Sequence, residues 1–161
     1  MKNVYLLAVL FICSLCLAQP DSLKYTLTAG RPEIKKASCE QWLQVWVTLT
    51  NTTKDTLKYY TMTCSWQNFY CIDNPDVKIE DVPCDKNIFT LITLPPGKSN
   101  TVLLKLYPAD NSHKQLSFKI GMNLVFYRKL LSSNEIRNEM HKRNIIWTKP
   151  ITVKLKQKLP Q

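Results

Sequence analysis

The sequence predicts an all-β chain folded as a sandwich of two antiparallel sheets. Short runs alternate apolar and polar residues with a period of two, most strictly Leu116, Phe118, Ile120, Met122, Leu124 and Phe126. Turn signals separate the runs at short intervals: Gly30-Arg-Pro32, Asn74-Pro75, Val82-Pro83 and Pro95-Pro-Gly97. Little of the chain carries a helical period, and about seven or eight short strands with such turns fit a sandwich of immunoglobulin-like type. A closed barrel is the alternative.

Leu23 to Thr28 reads as a first edge strand, kinked at Gly30-Arg-Pro32 before Glu33 to Lys36, because an edge does not need the N–H that Pro32 lacks. Trp42 to Cys64 reads as a long hairpin about Asn51-Thr-Thr-Lys-Asp-Thr56. Leu43, Val45, Val47 and Leu49 share one face of its first strand. Folding back about Thr53 and Lys54 sets Leu43 opposite Cys64, Val45 opposite Met62 and Val47 opposite Tyr60, apolar against apolar. Asn51-Thr-Thr53 also fits a glycosylation sequon on that turn.

Ser65 to Lys86 is a long excursion with a short strand at Val77 to Glu80. Asn87 to Leu94 and Thr101 to Tyr107 are strands joined by Pro95-Pro-Gly-Lys98, where proline pre-sets the backbone and glycine takes a positive φ. Val102, Leu104 and Leu106 face inward. Gly121, in the strict strand, marks a bulge or a close backbone approach. Ser132-Ser-Asn-Glu135 has the form of a capping box, so Asn134 to Lys142 is a short polar helix or a long loop. Ile145 to Lys154 is the last strand, interrupted by Pro150.

The first 18 residues read as a signal peptide. Lys2, an apolar run from Val4 to Leu17 and small residues before Gln19 predict cleavage after Ala18. The run of about 14 residues is short of the roughly 20 that span a bilayer. Residues 19–161 then form one domain, exported to the periplasm or secreted, with no membrane span. Cleavage discards Cys13 and Cys16, the one C-x-x-C, and Lys2, taking the formal charge from +10 to +9. Such a basic chain is attracted to anionic glycans or acidic envelope proteins, although its lysines are spread along the sequence and serve solubility equally well. Three glycines leave no Gly-rich phosphate cradle.

Val47-Thr-Leu-Thr-Asn51 followed by Leu94-Pro-Pro-Gly-Lys-Ser99 resembles the immunoglobulin-like sandwiches of bacterial exported proteins, and is similar more weakly to the intracellular proteinase inhibitor family of bacilli. Cys64-Ser-Trp66 and Cys84-Asp-Lys-Asn87 resemble segments of small exported Bacteroidetes proteins of unassigned function. The resemblance implies the fold and a family; it implies no activity.

Cys39, Cys64, Cys71 and Cys84 remain in the mature chain, an even number that suits two disulfides in an oxidising compartment. In the hairpin register Cys39 falls near Cys64 and Cys71, while Cys84 enters the next strand at the same end. Cys64–Cys84 with Cys39–Cys71 is therefore the expected pairing among three connectivities. A four-thiolate zinc site is disfavoured because no paired C-x-x-C knuckles remain. No metal or other cofactor is expected.

The loop 65–83 that those bonds pin carries Trp66, Phe69 and Tyr70, which either present a recognition surface or cap the open end of the core. His113 and His141 lie in polar segments, and no catalytic motif occurs. Asp73 and Asp76 could bind calcium but are also common turn formers. Trp42, Trp46 and Tyr59 would need to share a face with lysines to stack nucleic-acid bases, and export argues against that ligand. The expected function is thus a non-enzymatic binding or structural module that holds a macromolecule through its aromatic loop or a sheet edge. A proteinase inhibitor presenting a disulfide-constrained loop is the alternative.

Overall fold

The computed structural model describes residues 24–37, 40–109 and 115–155. The leader, with Cys13 and Cys16, and also Cys39 and His113 lie outside them. Among the described residues the fold is an all-β sandwich with one short helix. One layer is a five-stranded sheet built on β3 (Glu40–Asn51). One edge of β3 carries β1 (Tyr25–Ala29) and β2 (Glu33–Ala37) end to end, the edge strand broken as expected at Gly30-Arg-Pro32. The Gly30 N–H bridges the break by donating to Trp46 O at 2.8 Å. The other edge carries β8 (Ser99–Pro108), beyond which lies β6 (Val77–Ile79).

The remaining strands form three short antiparallel ladders. β4 (Leu57–Met62) lies between β7 (Phe89–Leu94) and β11 (Val125–Phe126). β10 (Ile120–Asn123) lies between β5 (Tyr70–Ile72) and β12 (Ile145–Trp147), and β9 (Gln115–Phe118) pairs with β13 (Ile151–Lys154). The alternating run 116–126 threads all three as β9, β10 and β11 rather than as one uninterrupted strand. At its first break the Lys119 N–H donates to Asp73 Oδ1 at 2.6 Å, and the Ile120 N–H to Thr148 Oγ1 at 3.1 Å. At the second, the Leu124 N–H donates to Asn144 O at 3.0 Å. These substitutes keep the amides bonded while the run changes partners.

The expected hairpin does not form. β3 pairs with β1, β2 and β8, β4 pairs with β7 and β11, and the chain crosses between layers at residues 51–56. Crossing buries more than pairing would. Leu43, Val45, Val47 and Leu49, none more than 1% exposed, join Leu57 and Tyr59 of β4 in one core with Leu104, Leu106, Phe118, Ile120 and Leu124. Side by side in one sheet, the two apolar faces would still have needed a second layer to cover them.

Asn51 makes the crossing corner. Its side chain is fully buried, with Nδ2 donating to Leu94 O at 2.9 Å and Asp55 O at 2.7 Å, while Oδ1 accepts from the Thr53 N–H and hydroxyl. Its backbone N–H donates to Lys98 O, and its carbonyl accepts from the Gly97 N–H. The strand ending at Asn51 and the Leu94–Ser99 turn thus meet at one corner, where Gly97 takes the positive φ of 68° expected of it. The sequon reading fails for the folded chain, because Nδ2 is sealed inside.

The capping box forms a helix, α1 (Ser133–His141), with Ser132 Oγ accepting the Glu135 N–H and the Glu135 carboxylate accepting the Ser132 N–H. Burial of Ile136 against Tyr60, Phe69 and Val125 docks it. As expected, Pro150 splits the last strand, into β12 and β13.

Candidate functional site

The excursion from Ser65 is more ordered than a loop. Trp66–Phe69 form one 3-10 turn, β5 follows in one ladder, and β6 returns to the five-stranded sheet. Cys64 and Cys84 form a disulfide with their Cα atoms 6.1 Å apart, closing the excursion at its base. Cys71 carries a free thiol, and its expected partner Cys39 lies outside the described residues. Burial pushes the Cys71 thiol above its ordinary pKa, with the Arg143 charge acting more weakly the other way.

Gly121 explains where that thiol sits. A Cβ at this position would lie 2.8 Å from Cys71 Sγ, 2.6 Å from Ile145 Cγ2 and 2.8 Å from Trp147 Cζ3. Its missing side chain is therefore the space that lets β5 and β12 side chains close over β10; the approach is by side chains, where the sequence suggests a bulge or a close backbone approach.

The three aromatic residues of the excursion separate. Phe69 is 1% exposed, inside the smaller core cluster with Tyr60, Val125 and Ile136, and is not available to a partner. Trp66 and Tyr70 are half-buried and meet edge to face, ring centroids 5.9 Å apart. They line a cleft of about 250 Å³ walled by strands of both layers. Met62, Asn100 and Met122 also line it, from β4, β8 and β10, positions whose local sequence signals no site. Deeper in the cleft, the Tyr59 hydroxyl accepts from Asn100 Nδ2 at 2.8 Å, tying β4 to β8. Burial raises the Tyr59 pKa, partly offset by that hydrogen bond, and raises that of Tyr70 through burial and the neighbouring Tyr59.

Trp42, Trp46 and Tyr59 do not share a face. Tyr59 is in the core, Trp46 is exposed, and Trp42 packs under Lys105, whose Nζ lies 4.8 Å from the ring centroid. Lys105 also pairs with Glu80 at 2.6 Å. Asp73 accepts from the Lys119 N–H and pairs with the Lys119 ammonium, Nζ lying 3.6 Å away. His141 is exposed in the last turn of α1. Among the described residues no three His, Cys, Asp or Glu side chains gather as metal ligands, and no helix is long and apolar enough to cross a membrane.

No protein-family model and no curated protein matches the chain. Among solved structures it is similar to a FixG-related protein from Vibrio parahaemolyticus, with 10% identity over 84% of this chain and 98% of that one and a TM-score of 0.37. A likeness of that degree carries no argument about function. The disulfide and the absence of a membrane-spanning helix among the described residues are compatible with an exported protein.

Proposed function

We propose that this chain is an exported, non-enzymatic binding module that holds another macromolecule at the Trp66–Tyr70 cleft. The observation that carries the reading is the cleft itself, an edge-to-face aromatic pair held open between two layers and anchored by a disulfide. At about 250 Å³ it is smaller than the roughly 300–1,000 Å³ of most small-molecule sites. That size suits one projecting side chain of a partner better than a cofactor. Thr61, Thr63, Thr90 and Asn100 give its walls polar groups to orient that side chain. Half-buried aromatic anchors of this kind contribute binding at low entropic cost.

Affinity capture tests the reading. Mature protein, residues 19–161, is immobilised and exposed to extract of its own cell envelope at low and moderate salt, beside a Trp66→Ala variant of matched thermal stability. A partner retained at moderate salt by the parent and lost by the variant is expected. Equal retention by both would remove the cleft from the function, and retention confined to low salt would reduce it to charge attraction.

The inhibitor reading attaches to a different stretch. Residues 81–88 leave β6 without regular structure and are largely exposed around Cys84, the form a protease cleft accepts. A stable complex with a protease, unaffected by Trp66→Ala, would favour it.

A further inference from the structure

The loop between β11 and α1 holds a leucine out in water. Tyr127 opens the loop by donating its N–H to Lys58 O at 2.9 Å. One buried hydroxyl then grips the chain on both sides of Leu130. Tyr60, 5% exposed, donates to Lys129 O and accepts from the Leu131 N–H, each at 3.2 Å. Ser132 follows at once as the cap of α1. Leu131 packs against the smaller core cluster, while Leu130 is 84% exposed, more than any other large apolar side chain described. A leucine at a slack loop tip is free to fold back onto the surface and leave water; this one is presented by a backbone bonded to the core on either side.

The same loop gathers cations. Arg128, Lys129 and Lys142 line a cleft of about 500 Å³ in which Glu139 is the one acid. Arg128 also borders a second cleft of about 280 Å³, lined by Lys24 and Lys58 and by no carboxylate. The acids of α1 are already engaged. Glu139 pairs with Lys142, and Glu135 accepts from the Ser132 N–H and lies 3.9 Å from Lys129 Nζ. Cations therefore outnumber acids around the loop, and Leu130 itself lines neither cleft.

We propose that this loop docks the protein on an anionic lipid surface. Leu130 enters the boundary between headgroups and acyl chains, and Arg128, Lys129 and Lys142 hold lipid phosphates around it. Shape favours lipid over a folded partner. The apolar group stands out in water beside its cations instead of lining a recess, so a protein would need a matching socket, whereas a bilayer yields to any projecting side chain. One leucine and a few cations give reversible attachment rather than insertion across the bilayer. The clefts beside the loop share no residue with the Trp66–Tyr70 cleft, and the proposal stands or falls independently of it.

Flotation of mature protein with vesicles tests this, using phosphatidylcholine alone and phosphatidylcholine mixed with phosphatidylglycerol. Binding to the mixed vesicles only is expected. Leu130→Ser, at an exposed position outside the core, should weaken it about tenfold. Arg128→Gln combined with Lys129→Gln should weaken it about twentyfold or more. Lys36→Gln, on β2 in the five-stranded sheet, should match the parent. Dextran sulfate supplies the same charge without acyl chains, and the parent and Leu130→Ser should bind it alike. Undiminished vesicle binding by Leu130→Ser would overturn the proposal, because charge alone would then hold the protein. An equal loss of dextran sulfate binding in that variant would do so too, since the leucine would be acting through the form of the loop. So would failure to float with the mixed vesicles, and capture of an envelope protein through Leu130 in that case would assign the loop to a protein socket.

Discussion

Replacing Asn51 is the sharpest test of the corner between the layers. Asn51→Ala removes the donor from Leu94 O and Asp55 O and the acceptor from the Thr53 N–H. Asp55 O retains the Thr53 hydroxyl as a donor at 2.9 Å, so the loss falls mainly on Leu94 O and the Thr53 N–H. With about 0.5–1.5 kcal/mol for each net hydrogen bond and about 1–3 kcal/mol for a buried group left unpaired, the variant should lose about 2–4 kcal/mol. Asn51→Asp separates donor loss from space. Its carboxylate would face two carbonyl oxygens in a fully buried position, which raises its folded pKa above the unfolded value of about 3.9. A raised folded pKa makes the variant lose stability as pH climbs from the unfolded value through the folded one, so its deficit against the parent should be smaller at about pH 4.5 than at about pH 7.5. Urea denaturation followed by circular dichroism measures both. A cost for Asn51→Ala below about 0.5 kcal/mol, or an Asn51→Asp deficit independent of pH, would refute the assignment of Asn51 as the buried clamp.

Cys64→Ser should lower the melting temperature, since the disulfide closes a separation of 20 residues and contributes about 3 kcal/mol in the chain-entropy account; an unchanged melt for both Cys64→Ser and Cys84→Ser would deny it a structural role. Gly121→Ala forces a methyl within 2.6–2.8 Å of Ile145, Cys71 and Trp147, and chemical denaturation should show a loss of about 1–3 kcal/mol. A Gly121→Ala variant combined with Cys71→Ala should recover part of that loss, because one of the three opposing atoms is gone. The raised pKa of Cys71 keeps it protonated at neutral pH, so peptide mapping after iodoacetamide treatment should show it labelling slowly in the folded protein and readily in urea, with the folded rate rising towards alkaline pH.

Much of the fold is legible in the sequence because alternation reports burial directly. Leu43 to Leu49 and Leu104 with Leu106 face the core as their spacing requires. The breaks at Gly30-Arg-Pro32 and Pro150, the positive φ at Gly97 and the capping box at Ser132 follow from local chemistry. Cys64 pairs with Cys84 although the hairpin register from which that pairing is argued does not form, because both cysteines flank the same excursion. The candidate site was half legible: Trp66 and Tyr70 stand at the cleft, but Phe69, of the same residue class one position away from Tyr70, belongs to the core.

What the sequence determined by itself was which face of each strand leaves water and where each strand must stop. Which strand lies beside which was decided only by the tertiary structure. Backbone hydrogen bonds are nearly indifferent to side chains, so a register that matches apolar residues across β3 and β4 looks as sound as the one adopted. The arrangement is selected by total burial, and Leu57 and Tyr59 lie buried across the core from the inward face of β3. That same selection seals Asn51 at the crossing and draws Met62, Asn100 and Met122 from three strands around one cleft, since both depend on contacts between residues far apart in the chain.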